Sequence, residues 1–212
     1  MVTLIIVRHG YSIGNKEKRF TGQMDAPLDE IGYLQAVSTA DYIVKNFEVD
    51  RIYSSDLSRA YETVKPIADA LGLEVLKWKE LREANVGDWE GKLIADVEKE
   101  YPESFAFYKE NPGLARFVGG ESYEELMRRS RLTFEKIAAE NEGKTVVVGT
   151  HGGVIRTLRA AWDKVPLDKI KEIPHVPNGS VTIAEYDNQS VNWICIGYEE
   201  HLSEKTSEAL IK

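Results

Sequence analysis

Four basic side chains in this sequence have the types and the positions to bind and attack a phosphoryl group. Each follows a short apolar run, and they are Arg8, His9, Arg59 and His151. Paired arginines can neutralise phosphate oxygens through forked hydrogen bonds. A neutral imidazole can attack phosphorus and form a phosphohistidine, which divides one difficult displacement into two easier ones. The sequence therefore predicts a small cationic pocket for a phosphate monoester, with one of the two histidines as the nucleophile.

The surroundings of the two histidines favour this chemistry. His9 and His151 are each followed by a glycine, Gly10 and Gly152, which lets backbone N–H groups approach an anion closely. Neighbouring guanidinium charges favour the neutral imidazole, because a like charge disfavours protonation. The second ring nitrogen needs a fixed acceptor to set the tautomer, and a nearby backbone carbonyl can provide it. The remaining histidine and the amide of Asn15 can add donors to the phosphate.

A proton donor must stand opposite the nucleophile, because the leaving alkoxide needs a proton. Four carboxylates are candidates, and charge spacing alone does not choose among Glu80, Glu83, Asp88 and Glu90. Other kinds of site lack their motifs. The sequence has no Gly-x-x-x-x-Gly-Lys-Ser/Thr loop, no His-Glu-x-x-His or paired-cysteine spacing, and no Gly-x-Ser-x-Gly. We therefore expect no ATP-driven chemistry, no metal site or other cofactor, and no serine nucleophile.

Strand and helix patterns alternate along the chain and predict an α/β fold. Strands are expected in six apolar runs, near residues 3–7, 51–54, 73–77, 144–149, 180–186 and 191–197. Such alternation predicts a three-layer sandwich, with a mostly parallel sheet covered by helices on both faces. The turn signal at 187–190 joins the last two strands, so we expect an antiparallel strand at one edge. The strand ends that carry the basic residues then meet where open α/β folds bind ligands.

Three helices are expected to flank this sheet. The first is indicated by an apolar stripe at three- and four-residue steps, made of Leu34, Val37, Ala40, Val44 and Phe47. The second runs from Asp56 to Leu71 and ends at Gly72. The third begins with a capping box of Ser122 and Glu125. Its stripe is made of Tyr123, Leu126, Ser130, Phe134 and Ile137.

We predict a single domain over residues 1–212, with an insertion at about 84–120 that interrupts the strand–helix rhythm. The insertion is rich in aromatic residues, namely Trp89, Tyr101, Phe105, Phe107, Tyr108 and Phe117. It is expected either to lean over the strand ends like a lid or to form a helical satellite with its own core. The two arrangements are compatible with each other.

Composition restricts the partners and the compartment. The chain has 212 residues and a formal net charge of −8, which argues against a nucleic-acid partner and against an anionic membrane surface. The apolar segment 2–7 is too short for a signal sequence or a membrane span. Cys195 is the single cysteine and is expected to be a packed core thiol; His175 and His201 are expected to be surface or structural residues. We expect a cytoplasmic protein that acts on a small phosphorylated metabolite, and no pattern indicates its oligomeric state.

Five blocks of the sequence, in order, resemble the histidine phosphatase superfamily, also called the phosphoglycerate-mutase-like family. They are Arg8-His9-Gly10 followed by Asn15, Thr21-Gly22 and Asp25 to Leu28; Ser54 to Ala60 with Glu62-Thr63; Leu81-Arg82-Glu83 with Gly87-Asp88-Trp89-Glu90-Gly91; Gly120-Glu121-Ser122; and Thr150-His151-Gly152. The resemblance covers residues 3–186. It implies a mostly parallel α/β sheet with a lid-like insertion.

The resemblance also implies a role for each site residue. It makes His9 the nucleophile that becomes phosphorylated and Glu83 the proton donor. The other implied catalytic residues, which clamp the phosphate, are Arg8, Arg59 and His151, and the implied substrate-binding residues are Asn15, Thr21, Gly22 and Gly152. One departure is Tyr11, which stands where the family usually has an acidic residue. We expect Tyr11 to pack rather than to touch the substrate.

Hydrolysis is the favoured reaction. The segment 87–91 resembles the small phosphatase branch, which includes broad-specificity and alpha-ribazole phosphatases. Cofactor-dependent phosphoglycerate mutases usually carry a tyrosine- and glutamine-containing stretch there and are somewhat longer. A non-catalytic phospholigand-binding domain would be expected to lose the nucleophile or the acid, and both are present. We therefore predict a phosphoric monoester hydrolase, with a mutase and a binding domain as the alternatives.

Overall fold

A single mixed sheet organises the protein, whose computed structural model describes residues 1–187 and 190–202. Its strands are β1 (Val2–Arg8), β2 (Arg51–Ser54), β3 (Val75–Lys77), β4 (Thr145–Thr150), β5 (Val181–Tyr186) and β6 (Val191–Tyr198). They lie in the order β3-β2-β4-β1-β5-β6. The first four strands in the chain are parallel, whereas β5 pairs antiparallel with both β1 and the edge strand β6. The predicted mostly parallel sheet with antiparallel pairing at one edge is confirmed.

The register of the two central strands places two distant histidines side by side. Arg8, the last residue of β1, is paired with Thr150, the last residue of β4. The pairing continues for one more residue, because the His9 N–H donates to the Thr150 carbonyl over 2.9 Å. The ring centroids of His9 and His151 are 5.1 Å apart. Backbone pairing alone therefore brings these two side chains together.

Helices cover the sheet on both faces. They are α1 (Ile13–Lys16), α2 (Glu30–Asn46), α3 (Ser58–Leu71), α4 (Ile94–Glu100), α5 (Pro102–Glu110), α6 (Tyr123–Glu140) and α7 (Gly152–Trp162). Short 3-10 turns occur at Lys79–Leu81, Gly87–Trp89, Pro112–Leu114 and Leu167–Glu172. The predicted capping box begins α6, and Gly72 ends α3 with a left-handed φ of 65°. Within residues 1–187 and 190–202, no helix is long and apolar enough to cross a membrane.

The buried face of α2 differs from the predicted one. Leu34 and Val37 are 57% and 52% exposed, so their prediction as part of a core stripe was wrong. The helix buries instead Gly32, Gln35, Ala36, Thr39, Ala40 and Ile43. Buried polar residues on this face have structural partners; for example, Gln35 Oε1 accepts from the backbone N–H of Tyr11 over 2.7 Å. Helix α2 therefore packs against the turn that follows β1 and stabilises it. The spacing of apolar residues in the sequence does not indicate this contact.

The aromatic insertion contains α4 and α5 and joins the main core. Its rings gather around Trp89, whose centroid is 5.2 Å from that of Phe117 and 4.9 Å from that of Phe20. Trp89 and Phe117 belong to the same hydrophobic cluster as Leu4 and Val146 on one face of the sheet. The insertion therefore shares the core of the sheet, and it lies against the strand ends. The predicted turn at 187–190 includes two positions outside the described residues, and the single-domain prediction stays a prediction.

Close contact between α2 and the turn after β1 generates a stability prediction. An added Cβ at Gly32 would collide with the Tyr11 carbonyl oxygen. Replacement of glycine by alanine in a helix ordinarily stabilises by about 1 kcal/mol, but we expect Gly32→Ala to destabilise the protein by about 1–3 kcal/mol through overpacking. Urea unfolding measures the difference. In the comparison variant Gly72→Ala the new Cβ meets no atom within 4 Å, and only the cost of its left-handed φ remains. Stabilisation of the Gly32→Ala variant would contradict the prediction.

Candidate active site

A cavity of about 260 Å³ lies at the carboxyl ends of the central strands. The predicted site residues on its wall are Arg8, His9, Asn15, Thr21, Gly22, Arg59 and Glu83. His151 is fully buried beside the His9 ring. The structure therefore brings together both histidines, both arginines and one of the four candidate acids.

The ring of His9 is held as a neutral imidazole with one nitrogen available for attack. Its Nδ1 lies 2.8 Å from the Gly10 carbonyl oxygen. Because a carbonyl can only accept, Nδ1 carries the proton and Nε2 keeps its lone pair. Burial lowers the pKa of His9 well below its ordinary value, and the charges of Arg59 and Arg8 lower it further. The backbone carbonyl expected to set the tautomer is thus present.

The turn after His9 is fixed by side chains on both sides. The N–H of Gly10 donates to Thr63 Oγ1, on α3, over 2.9 Å. Asn15 Oδ1 accepts from the N–H of Ser12 over 3.1 Å. Because this contact uses the oxygen of the Asn15 amide, its NH₂ group stays available to donate into the cavity.

Arg59 is a buried cation that also holds the loop beside the cavity. It is 1% exposed, and its guanidinium donates to the carbonyls of Gly22 over 2.7 Å and Met24 over 2.9 Å. Burial lowers its pKa to about 10, although nearby carboxylates, with Glu83 first among them, oppose the shift. The side chain therefore stays charged at neutral pH. A phosphate in the cavity would meet a charge whose position is already set.

Arg8 lies beside the start of α7, where glycine makes room for it. Its Nη1 donates to the Val176 carbonyl. An added Cβ at Gly152 would come within 3.2 Å of Arg8 Nε. Gly152 itself is not on the cavity wall, whereas its neighbour Gly153 is. Gly152 provides space for the Arg8 guanidinium, and its role in substrate binding stays a prediction.

His151 has one ring nitrogen committed to the protein. Its Nε2 is 2.9 Å from Ser55 Oγ, while Nδ1 is buried and has no partner among the described residues. Burial lowers the pKa of His151 well below its ordinary value, with Arg59 and His9 adding to the shift. When Ser55 donates to Nε2, the proton of the neutral ring resides on Nδ1. That nitrogen is then a buried donor beside the His9 ring.

Glu83 is held by two backbone N–H groups. Its Oε1 accepts from Ala84 over 2.9 Å, and its Oε2 accepts from Gly153, in the first turn of α7, over 3.0 Å. An added Cβ at Gly153 would collide with Oε1. Backbone contacts and a glycine therefore determine where this carboxylate sits.

Geometry distinguishes Glu83 from the other three acid candidates. Among the cavity-lining residues that the structure describes, it is the one carboxylate. Glu90 Oε1 instead accepts from the N–H groups of Gln23, over 2.7 Å, and Val86, over 3.2 Å. It thereby supports the loop that carries Thr21 and Gly22. Charge spacing in the sequence could not make this distinction.

Sequence reasoning missed three residues that organise the cavity. Arg129, on α6, donates to the carbonyls of Arg82 and Glu83 over 2.8 and 3.2 Å. Asn178 donates from Nδ2 to the His9 carbonyl over 2.9 Å. His175, expected to be a surface or structural residue, is exposed and also lines the cavity. Each acts across a long sequence separation, and no local pattern marks it.

Three further residues were expected to be structural. Tyr11 is not on the cavity wall. His201 stacks on Tyr42, and its Nε2 lies 3.1 Å from the Gly179 carbonyl. Cys195 is half-buried against the second hydrophobic cluster, and burial raises its pKa. In the residues described, no group of three or more His, Cys, Asp or Glu side chains is arranged to hold a metal ion.

Comparison with known proteins gives a family match and similar sequences. The family model described as "Histidine phosphatase superfamily (branch 1)" matches residues 4–197. "Phosphoserine phosphatase 1" of Hydrogenobacter thermophilus is 37% identical over 169 residues, which cover 80% of each chain. "Glucosyl-3-phosphoglycerate phosphatase" of Mycobacterium tuberculosis is 35% identical over 187 residues, which cover 84% of this chain and 83% of the relative.

A solved structure is also similar over nearly the whole chain. It is "Bacillus stearothermophilus YhfR", which is 32% identical and superimposes with a TM-score of 0.91. The match covers 96% of this chain and 100% of the other. The fold predicted from strand and helix patterns is therefore the fold of a solved relative.

The buried histidines predict a loss of stability on mild acidification. His9 and His151 are neutral in the folded protein, with pKa values well below 6.5. The unfolded chain takes up protons as the pH falls below 6.5, whereas the buried rings of the folded protein stay neutral. The free energy of unfolding that depends on these two histidines is therefore fully present above that pH and is lost as the pH falls towards their pKa values in the folded protein. Each histidine lowers the free energy of unfolding by up to about 1.4 kcal/mol for each pH unit of acidification in this range. We expect the free energy of unfolding to fall by about 2 kcal/mol or more between pH values of about 7 and about 5.5.

Urea titrations at several pH values test this expectation. His151→Gln removes one titrating group and should reduce the loss by about 1 kcal/mol. A free energy of unfolding that does not change over this interval would mean that the two imidazoles titrate normally.

Proposed function

The chain belongs to the histidine phosphatase superfamily, and from this membership and the site geometry we propose that it hydrolyses phosphate monoesters of small metabolites. The reaction passes through a phosphohistidine on His9. One observation carries the proposal: the Nδ1 of His9 is committed to the Gly10 carbonyl, which leaves a neutral Nε2 among cationic groups. A nucleophile of this kind can approach an anion.

Binding of the phosphate is the first step. Arg8, Arg59 and His151 surround the His9 ring and clamp the phosphate oxygens. The NH₂ group of Asn15 and the loop of Thr21 and Gly22, which lie on the cavity wall, complete the set of contacts. Two guanidinium charges offset the two negative charges of the monoester, and they also stabilise the charge of the transition state.

Transfer to His9 breaks the bond between phosphorus and the ester oxygen. The lone pair of Nε2 forms the new bond to phosphorus, and protonated Glu83 donates its proton to the departing alkoxide. In the second step the Glu83 carboxylate takes a proton from water, whose oxygen attacks phosphorus and releases inorganic phosphate. Free His9 and protonated Glu83 are restored, so protons balance over the cycle. Every step uses side chains of this chain and no metal or cofactor.

Hydrolysis is preferred to transfer onto a second substrate because both similar sequences described above carry the names of phosphatases. Their named substrates, phosphoserine and glucosyl-3-phosphoglycerate, are small and carry one phosphate ester on an alcohol. We propose a substrate of the same general class. Cofactor-dependent mutase activity and phospholigand binding without turnover are the alternatives that experiments must separate.

Removal of the nucleophile is the first functional test. We expect His9→Ala to lower the turnover of p-nitrophenyl phosphate by about a thousandfold or more, and to abolish the acid-labile phosphoenzyme trapped during turnover. His201→Gln changes a histidine that does not line the cavity and should retain both properties. Tight phosphate binding by the wild-type protein without turnover would favour the binding domain.

Assays of the wild-type protein distinguish a phosphatase from a mutase. The protein is incubated with 3-phosphoglycerate, in the presence and in the absence of 2,3-bisphosphoglycerate. Release of inorganic phosphate supports hydrolysis. Isomerisation of 3-phosphoglycerate that the bisphosphate stimulates would identify a mutase instead.

The role of Glu83 predicts a dependence on the leaving group. An alkoxide leaves poorly without a proton, whereas p-nitrophenolate leaves well without one. We therefore expect Glu83→Gln to lower kcat on alkyl phosphates by about 10²–10⁴-fold and to affect p-nitrophenyl phosphate far less. Steady-state kinetics on both substrates measure the two factors. Equal losses would show that Glu83 is not the proton donor.

A further inference from the structure

His175 occupies the cavity wall with a fixed ring orientation. It lines the same cavity as His9 and Glu83. Its Nε2 lies 2.8 Å from Nη1 of Arg156. A guanidinium can only donate, so Nε2 accepts and the proton of the neutral ring resides on Nδ1. With Nε2 accepting from Arg156, Nδ1 is the one N–H of the neutral His175 ring.

The segment that carries His175 is anchored on both sides. Arg156 donates from Nε to the Ile173 carbonyl and from Nη2 to the Ile170 carbonyl, both over 2.8 Å. Arg8 donates to the carbonyl of Val176, the next residue. Arg156 thus orients the His175 ring, and Arg8, which belongs to the phosphate clamp, holds the adjacent backbone. These contacts hold the segment that carries His175 beside the Arg8 side chain.

The charge state of His175 is set as well as its orientation. His175 is exposed at the rim of the cavity; partial burial, together with the charges of Arg156 and Arg8, lowers its pKa to about 4. The ring is therefore neutral over the usual working range of pH. It offers one N–H and no second charge to a bound molecule.

The rest of the cavity wall favours a ligand that accepts hydrogen bonds. Beyond the phosphate clamp its polar groups include the His175 N–H, the hydroxyls of Tyr108 and Tyr123, and the Arg19 guanidinium, which also donates to Glu17 and to the Gly91 carbonyl. The carboxylate of Glu83 already holds two backbone N–H groups. Aromatic rings form much of the remaining wall, among them Phe20 and Phe117. A substrate ammonium would find no uncommitted carboxylate on the described wall, whereas a substrate carboxylate would find donors.

We infer that His175 is a specificity residue that donates from Nδ1 to a carboxylate on the leaving group of the substrate. The inference rests on the proposed phosphatase function and narrows its substrate class to phosphate esters of hydroxy acids. A carboxylate only accepts hydrogen bonds, so it complements a histidine that is fixed as a donor. A hydroxyl group in the same place would gain less, because it carries no charge.

Two substrates that differ at one group test the inference. 3-Phosphoglycerate carries a carboxylate where glycerol 3-phosphate carries a hydroxymethyl group. We expect wild-type kcat/KM to be higher for 3-phosphoglycerate. His175→Ala should lower this preference by about tenfold, the effect of losing one hydrogen bond to a charged group, and should act mainly through KM. His175→Gln keeps an N–H donor and should restore part of the preference.

A control variant and a third substrate complete the experiment. Lys171→Ala removes an exposed cation on the same segment, away from the cavity wall, and should keep the wild-type preference. Hydrolysis of p-nitrophenyl phosphate by the wild-type protein checks the proposed function separately, because this substrate has no carboxylate. If that hydrolysis occurs but His175→Ala changes kcat/KM for 3-phosphoglycerate and glycerol 3-phosphate by the same factor, the inference is overturned while the phosphatase proposal stands. A wild-type preference for glycerol 3-phosphate would overturn it equally.

Discussion

One hydrogen bond, between His9 Nδ1 and the Gly10 carbonyl, determines the chemistry that this cavity can perform. It sets which ring nitrogen keeps a lone pair, and it does so through the backbone of the adjacent residue. The carbonyl can hold the ring only if the turn itself does not move. The sheet register fixes the position of His9, since its N–H extends the pairing of β1 with β4. Thr63 and Asn178 then hold the atoms of the turn.

The second constraint is that several positive charges must be buried close together. The protein stabilises the buried arginines with uncharged hydrogen-bond acceptors. Burial of a guanidinium is costly unless its donors find acceptors. Arg59 meets this requirement with the carbonyls of Gly22 and Met24, and Arg156 meets it with those of Ile170 and Ile173. Carbonyl oxygens satisfy the donors without neutralising the charge. A cationic site can therefore exist in a chain whose net charge is −8.

The sequence predicted those features that local patterns encode. Strand ends, glycines after histidines and the capping box of Ser122 depend on neighbouring residues, and the structure contains them. The face of α2 was predicted wrongly, because Gln35 is buried to serve the backbone of Tyr11. His175 and Arg129 were missed for a related reason. Their partners are supplied by other elements through tertiary contacts, and spacing along the chain carries no signal of such pairs.

The cavity separates the groups that we propose act on phosphorus from those that we propose face the leaving group. His9 and Arg8 lie at the end of a central strand, where a shift of backbone would disrupt the ladder. His175, Phe20 and Phe117 lie on connecting segments outside the sheet. Such segments tolerate change better than paired strands do. Substitutions there can alter which alcohol is accommodated while the strand-end groups remain in place. In the proposed mechanism, this arrangement permits one phosphohistidine chemistry to serve divergent leaving groups.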